Sequence, residues 1–180
     1  MRTNTKTMKM KHYAKCIAKT ALLLSYMTLF LMVQVAIAED KPVFLETRQL
    51  TSESVMKIGN TALEDCTRRG FKVGVSITSR DGQLLFFIRH PLAGPHTPMV
   101  SRAKAYTSST MGVATSTLTE ANTQKLNHYE NVTTLGGGVP IIVAGHHYGG
   151  IGVSGATSQA DEECAKVGIK TIEEDLEFNE

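Results

Sequence analysis

The chain has 180 residues, with 19 Lys and Arg against 17 Asp and Glu and a formal net charge of +2. Six of the basic residues lie within the first 19 positions and no acidic residue precedes Glu39, so residues 39–180 carry a net charge of about −4. This balance excludes a basic surface for nucleic acid or anionic lipid. The 142 residues from Glu39 onward are enough for one domain with a hydrophobic core.

The first 38 residues have the pattern of a secretory signal peptide. A basic segment is followed by an apolar run over residues 21–33 and by Ala36-Ile37-Ala38, a small-x-small cleavage site before Glu39. The apolar run is too short and wrongly flanked for a stable membrane span. We therefore expect residues 1–38 to be removed and the mature protein to be periplasmic or secreted, with no membrane span.

The mature chain then divides into an N-terminal arm, residues 39–49, and a single domain, residues 50–180. The domain opens with a helix, for which Thr51 is a favourable N-cap. An apolar stripe at helical spacing follows, and Gly70 is a typical helix stop. The pattern predicts a first helix with one face buried against the rest of the domain.

Two strands follow the first helix. Residues 72–78 alternate apolar and small polar side chains, which predicts a strand with one buried face. Asp81-Gly82 is a tight hairpin signal. Residues 84–88 are apolar at every position, which favours a central place in the sheet for the second strand.

A stiff loop leads into a helix with an unusual face. Residues 90–98 contain three prolines and a glycine, and we expect Thr97 to cap the helix with Pro98 at its first position. The inward-facing stripe of this second helix carries Lys104 and Thr107 among apolar residues. A lysine and a threonine on such a face make the helix a candidate for ligand contact.

The most glycine-rich stretch of the chain covers residues 136–156. Its short apolar runs at 140–143 and 148–153 flank a turn and predict a β-hairpin. Glycines inside strands indicate that a ligand or another backbone comes very close. The G-x-G-x-x-G pattern at residues 150–155 lacks the βαβ context of a dinucleotide site, so we do not interpret it as one.

Three further elements complete the domain. A capping-box pattern at residues 117–120 predicts a short helix, residues 132–135 a short strand, and Ser158 the start of the last helix. The order of helices and hairpins predicts a single α/β domain of the α+β type, with a largely antiparallel sheet of about five strands flanked by helices.

Cys66 and Cys164 remain after signal removal. Export would permit a disulfide between them. However, each falls on the apolar face of a predicted helix, where a free cysteine behaves as a small hydrophobic residue. We therefore expect both thiols to be free and buried.

Several of these segments together resemble the GlcG/HbpS family (DUF336, the "haem-degrading" domain), which is similar to the C-terminal domain of PduO-type proteins. The resemblance covers about residues 50–176. It is carried by the Val-x-Ile strand ending in Asp81-Gly82, by Leu92-Ala93-Gly94-Pro95-His96-Thr97, by Arg102-Ala103-Lys104-Ala105-Tyr106-Thr107, by Gly137-Gly138-Val139-Pro140 with Gly152-Val153-Ser154-Gly155-Ala156, and by Asp161-Glu162-x-Cys164-Ala165.

The resemblance implies assembly into homo-oligomers and binding of haem or a related tetrapyrrole. We therefore expect an exported haem-binding protein that takes part in haem capture, sensing or slow degradation. The alternative is a non-catalytic binding module of the same fold for another small molecule. The sequence shows no catalytic set of side chains and no metal-ligand spacing, so any chemistry would belong to a bound cofactor.

The expected ligand site lies beside the second helix. Lys104 could hold a haem propionate and Thr107 a polar axial contact, although a lysine that packs its stem on apolar neighbours fits equally well. His96 is the candidate iron ligand, because haem iron accepts histidine, and His90 is a second candidate. The ordinary interpretation of both histidines is exposure to solvent.

The glycines before the hairpin are the remaining candidates. Gly137 and Gly138 could present backbone N–H groups to an anion such as a propionate. A tight connection between strands accounts for these glycines nearly as well.

Overall fold

The computed structural model describes residue 19 and residues 21–27, 43–44, 47–118, 124–126, 128–173 and 175. In this part of the chain no helix is both long and apolar enough to cross a bilayer. Most of the predicted signal peptide and most of the predicted arm lie outside the described residues. Residues 47–180 form one compact unit. Its elements are α1 Ser52–Arg68, β1 Gly74–Ser79, β2 Leu84–Arg89, α2 Thr97–Met111, a 3₁₀ turn Thr115–Thr117, β3 Gly138–Val143, β4 His146–Ser154 and α3 Ser158–Lys170.

The four strands form one antiparallel sheet in the order β2-β1-β4-β3. The predicted class, a single α+β domain, is confirmed. The predicted strand at residues 132–135 is wrong, because this segment pairs with no strand. The sheet of the described residues therefore has four strands instead of about five.

The places of the first two strands are the reverse of the prediction. β1 lies between β2 and β4 and is buried on both faces, not on one. β2 was expected in the centre but forms an edge of the sheet, with Leu84, Leu85 and Phe87 each about 40% exposed. The small polar residues of β1 are buried because α2 covers them. On β2, Phe86 and Ile88 pack against the core, whereas Leu84, Leu85 and Phe87 remain partly exposed.

The two faces of the sheet differ in side-chain size. One face carries branched apolar residues, among them Ile77 and Ile151, and packs against α1 and α3 to form the hydrophobic core. The other face carries glycine, serine and threonine and receives α2. A Cβ atom on Gly152 would lie 2.1 Å from the carbonyl oxygen of Ser101, and one on Gly150 would lie 2.7 Å from that of Ala105. Close approach of a helix backbone therefore explains Gly150 and Gly152 of this hairpin.

The turns and helix ends largely follow the local sequence. The Thr51 hydroxyl accepts a bond from the Ser54 N–H and caps α1 as predicted. Gly82, with φ +83°, lies in the turn between β1 and β2. Ala144 and Gly145, both with positive φ, form the two-residue turn between β3 and β4.

The ends of two other helices differ from the prediction. α2 begins at Thr97, and His96 takes the cap position without a side-chain bond. The Thr97 hydroxyl instead donates to the Gly94 carbonyl at 2.8 Å, so Thr97 closes the loop and does not cap the helix. The predicted short helix beginning at Thr117 lies mostly at residues 119–123, outside the described residues.

A disulfide joins Cys66 on α1 to Cys164 on α3. The prediction of two free thiols is therefore wrong, although both residues are fully buried as expected. The helices approach closely because Gly168 of α3 packs against the backbone of Ile58. The apolar sides of α1 and α3 that carry the cysteines lie against each other. The Cα atoms of Cys66 and Cys164 are 5.6 Å apart, a normal separation for a disulfide.

Candidate functional site

A cleft of about 610 Å³ lies beside α2. Its walls are mostly apolar, and Arg102 is the one charged residue among the described residues that line it. An apolar cleft with a few polar groups is the usual form of a small-molecule site. The lining residues come from three parts of the chain: Ser76, Leu84 and Phe87 on the sheet, Pro98, Met99, Val100, Arg102 and Ala103 on α2, and Asn131, Val132, Thr133 and Leu135 on the segment before β3.

The helical period of α2 determines which side chains reach this cleft. Ser101 and Lys104 belong to the face of α2 that is buried on the sheet. Met99 lies two positions before Ser101 and Arg102 lies one position after it, so both project from α2 on a different side. They are three residues apart and therefore neighbours on the helix surface. The thioether and the guanidinium consequently share one wall of the cleft.

The opposite wall is held in place by two buried threonines. The Thr107 hydroxyl accepts a bond from the Thr133 N–H at 2.9 Å and donates to the Ala103 carbonyl at 2.8 Å. The Thr115 hydroxyl donates to the Leu135 carbonyl at 2.8 Å. The segment of residues 131–135 is thus fixed against α2 without strand pairing. Thr107, a predicted site residue, holds the wall of the cleft through its hydrogen bond to Thr133 and does not itself line the cleft.

Lys104 lies on the sheet side of α2 and is almost completely buried. Its ammonium group is 2.8 Å from the Asp161 carboxylate on α3 and donates to the Val153 carbonyl on β4, also at 2.8 Å. This contact joins α2, β4 and α3 across the sheet. The ammonium is occupied within the fold, so a haem propionate would reach it only by breaking the ion pair.

Asp161 is the partner that completes this buried pair. Its second carboxylate oxygen accepts a bond from the Ala156 N–H at 3.0 Å. Burial raises the pKa of Asp161 above its ordinary 3.8, and Lys104 and the backbone N–H groups oppose that rise. The carboxylate therefore fixes the turn between β4 and α3 as well as the lysine.

Gly137 packs against the same ion pair, and Gly138 packs against the backbone of Lys104. A Cβ atom on Gly137 would lie 2.7 Å from the Asp161 Cβ and 2.8 Å from the Lys104 Nζ. The Gly138 N–H donates to the Thr115 hydroxyl at 2.9 Å. Both glycines are buried, and close packing accounts for them.

The two predicted histidines lie at the loop before α2. His96 is exposed, and its ring lies against Gly94. His90 is half-buried, and its Nδ1 accepts a bond from the Leu92 N–H at 3.1 Å. Neither lines the cleft. The structure therefore separates the six predicted residues into a buried group around Lys104, the support at Thr107 and a loop pair of histidines.

Sequence reasoning missed three residues of this region. Asp161 was noted as part of the family motif, yet it lies one turn before Cys164 on the buried stripe of α3, and that spacing could have marked it as a buried partner. Met99 and Arg102 gave no comparable signal, because nothing in the local pattern shows that a cleft forms beside them.

The donor set of the cleft fits a tetrapyrrole. A tetrapyrrole needs apolar walls for its macrocycle, a cation for its carboxylates and, when it carries iron, one axial ligand. Phe87 and Val132 contribute to the walls, Arg102 supplies the cation, and Met99 belongs to the residue types that bind haem iron. The lining thus combines apolar walls with one cation, which is chemistry that suits a partly anionic small molecule.

The fold is a single α+β domain, and comparisons with known proteins identify its family. The family described as "Haem degrading protein HbpS-like" matches residues 50–170. The chain belongs to this HbpS-like haem-degrading family. No curated protein matches the chain at a significant level.

Solved structures of the family share the fold. A double mutant of HbpS from Streptomyces reticuli is 29% identical, with 76% of this chain and 95% of that chain covered and a TM-score of 0.69. A structure of the PduOC–haem complex is 26% identical, with coverages of 69% and 96% and a TM-score of 0.65. Klebsiella pneumoniae ORFY, a DUF336 protein, is 20% identical, with coverages of 72% and 94% and a TM-score of 0.66, which shows the fold alone.

Proposed function

We propose that this protein binds haem or a related tetrapyrrole outside the cytoplasm, in haem capture, sensing or slow degradation. The observation that carries the proposal is the similarity, over 69% of the chain, to PduOC, whose structure is a complex with haem. Membership of the HbpS-like haem-degrading family points the same way. The apolar cleft with its single cation supplies a surface of suitable chemistry.

Titration of the purified mature protein with haemin tests this function. We expect a new visible absorption band that saturates at a fixed ratio of haemin to protein. His96→Ala should shift this band if His96 is the axial ligand, whereas His128→Ala, at an exposed position in another part of the chain, serves as the matched control. No band and no saturation with the parent would refute haem binding and favour the alternative of a binding module for another small molecule.

Two observations support export. The first 38 residues have the pattern of a signal peptide. The disulfide between Cys66 and Cys164 suits an oxidising compartment. N-terminal sequencing should find Glu39 as the first residue of protein from the extracytoplasmic fraction. Recovery of a soluble cytosolic product that begins at Met1 would contradict export.

We further propose that the protein forms a homo-oligomer through the edge of the sheet. β2 is an edge strand with partly exposed Leu85 and Phe87, and such a strand invites pairing with another chain. Light scattering of the mature protein at micromolar concentration should give a multiple of the chain mass. A monomer alone would contradict the proposal, and Leu85→Lys, which adds a charge to this edge, should reduce the mass of the assembly.

A further inference from the structure

Met99 and Arg102 are the two side chains of the cleft with chemistry beyond apolar contact and neutral hydrogen bonding. Both belong to α2 and lie three residues apart, which places their Cβ atoms about 5–6 Å from each other. Met99 is 73% exposed, so its thioether is accessible to a ligand. Lys104, two residues further along, is buried in its ion pair with Asp161. The accessible cation of this part of α2 is therefore Arg102.

We propose that the cleft beside α2 is the tetrapyrrole site, with Arg102 binding a carboxylate of the ligand and Met99 ligating its iron. This inference rests on the proposed function. It replaces the expected pair of Lys104 and His96 with residues that share one wall of an open cleft.

Charge complementarity supports the role of Arg102. None of the described residues that line the cleft is acidic, so an entering carboxylate meets one cation and no opposing charge. The guanidinium can bind a carboxylate through two parallel hydrogen bonds, a geometry that an ammonium group does not offer.

The choice of Met99 follows from the chemistry of iron ligation. Haem iron in proteins is held by His, Cys, Met or Tyr side chains. Met99 is the one member of that set among the described residues that line the cleft. The carboxylates of a tetrapyrrole are attached at the edge of the macrocycle, and the iron lies at its centre. The residue that ligates the iron and the cation that binds a carboxylate must therefore be close to each other but contact different parts of the ligand. A pair one helical turn apart satisfies this condition.

The facing wall of the cleft is held in place by hydrogen bonds. The segment of residues 131–135 is held by the bonds of Thr107 and Thr115, and Asn131 within it has a φ of +64°. A wall that is fixed before binding reduces the ordering cost of the ligand.

Two ligands separate the roles of the two residues. Protoporphyrin IX has the macrocycle and carboxylates of haem but no iron, and its fluorescence reports binding. Arg102→Ala should weaken binding of both haemin and protoporphyrin about tenfold, which corresponds to the loss of one charge-assisted hydrogen bond. Arg102→Lys should retain most of the affinity for both ligands. Met99→Leu should shift the visible bands of the haemin complex, in particular after reduction, and should weaken haemin binding more than protoporphyrin binding.

Matched controls lie on α1, which packs on the other face of the sheet. Met56→Leu and Arg68→Ala change the same residue types at exposed positions and should alter neither titration. Every variant is compared with the parent by circular dichroism and light scattering, so that a loss of folding is recognised.

The outcomes distinguish the two proposals. If the parent binds haemin or protoporphyrin but the Arg102 and Met99 variants bind and absorb like the parent, the cleft assignment is wrong and haem binding stands. If His96→Ala alone shifts the bands, the iron lies at the loop and the role of Met99 is refuted. If the parent binds neither ligand, the proposed function fails and the assignment fails with it.

Discussion

The Lys104 ammonium and the Asp161 carboxylate lie 2.8 Å apart with side chains only 4% and 1% exposed. Two charged groups can be buried here because each neutralises the other. In addition, the Val153 carbonyl accepts a hydrogen bond from Lys104, and the Ala156 N–H donates one to Asp161. Lys104, the most promising ligand candidate in the sequence, is therefore bound within the fold. The pair ties the helix of one sheet face to the last helix of the other.

The first prediction is that Lys104→Met lowers the stability of the protein even when no ligand is present. The substitution leaves Asp161 as an uncompensated buried charge, and the expected loss is roughly 3–5 kcal/mol in the free energy of unfolding. Urea denaturation of the parent and the variant measures it. Lys166→Met is the matched control, because Lys166 pairs with Glu162 at the surface and is 60% exposed, where such a pair contributes at most about 0.5 kcal/mol.

A double variant shows whether the uncompensated charge is the cause. Asp161→Asn removes the charge but keeps an oxygen that can accept the bond from the Ala156 N–H. Lys104→Met combined with Asp161→Asn should therefore recover part of the stability that Lys104→Met loses. Equal stability of the single and double variants would contradict this explanation.

The second prediction concerns pH. Burial already raises the pKa of Asp161 above 3.8 while Lys104 opposes the rise, so removing Lys104 raises that pKa further. An acid whose pKa is higher in the folded state contributes stability that is present below 3.8 and is lost as the pH rises through the folded-state value. The penalty of Lys104→Met should thus be smaller near pH 4 than near pH 8.

Urea denaturation of the parent and of Lys104→Met over this pH range provides the measurement. The double variant with Asp161→Asn cannot titrate at this position, so the difference between it and the parent should vary less with pH. A penalty of Lys104→Met that stays constant from pH 4 to pH 8 would refute the assignment to Asp161.

The third prediction is that the Cys66–Cys164 disulfide contributes to stability. It closes a loop with a sequence separation of 98 residues, and loss of a disulfide of this kind typically costs about 2–5 kcal/mol. Dithiothreitol should lower the melting temperature of the parent. The Cys66→Ala, Cys164→Ala double variant should melt lower and be insensitive to dithiothreitol. A mass equal to that of the fully reduced chain, for protein from the exported fraction, would show that the bond does not form.

The fourth prediction concerns the support beneath the cleft. Thr107→Val removes the hydroxyl that accepts the Thr133 N–H and leaves a partly buried donor without its partner, at an expected cost of about 1–3 kcal/mol. Thr107→Ser keeps the hydroxyl and should retain most of the stability. If the cleft binds a tetrapyrrole, Thr107→Val should also weaken protoporphyrin binding. Equal behaviour of the valine and serine variants would show that the hydroxyl does not position the wall.

Local patterns predicted the parts of the fold that local interactions determine. The Thr51 cap, the turn at Gly82 and the glycine hairpin depend on neighbouring residues, and all three are present. The order of strands depends on contacts between distant segments. The apolar pattern of residues 84–88 therefore could not distinguish a central strand from an edge strand of the sheet.

The candidate site was less predictable for the same physical reason. Lys104 and Asp161 are 57 positions apart in the sequence, and Cys66 and Cys164 are 98 apart. Each partner shows a suitable residue type, but only the packing of α1, α2 and α3 against the sheet brings them together. The sequence thus singled out α2 through Lys104, but it could not show that this side chain lies in a buried ion pair.

The fifth prediction tests why the glycine hairpin is glycine-rich. A Cβ atom on Gly152 would lie 2.1 Å from the Ser101 carbonyl oxygen and 2.5 Å from the Ala105 nitrogen. Both atoms are helix backbone and cannot move aside without shifting α2 on the sheet, and overpacking of this kind typically costs about 1–3 kcal/mol or more. Gly152→Ala should therefore lower the melting temperature strongly or prevent folding.

Gly145→Ala is the matched control for Gly152→Ala. Gly145 lies in the turn with a φ of +82°, and a Cβ atom on it would meet none of the described residues within 4 Å. Alanine there therefore meets backbone strain of about 1 kcal/mol but no steric contact. The difference between the two variants isolates the close approach of α2. If both lose the same stability, the glycines of β4 serve the backbone conformation and not the packing of the helix. If Gly152→Ala folds like the parent, α2 does not lie as close to the sheet as the structure places it.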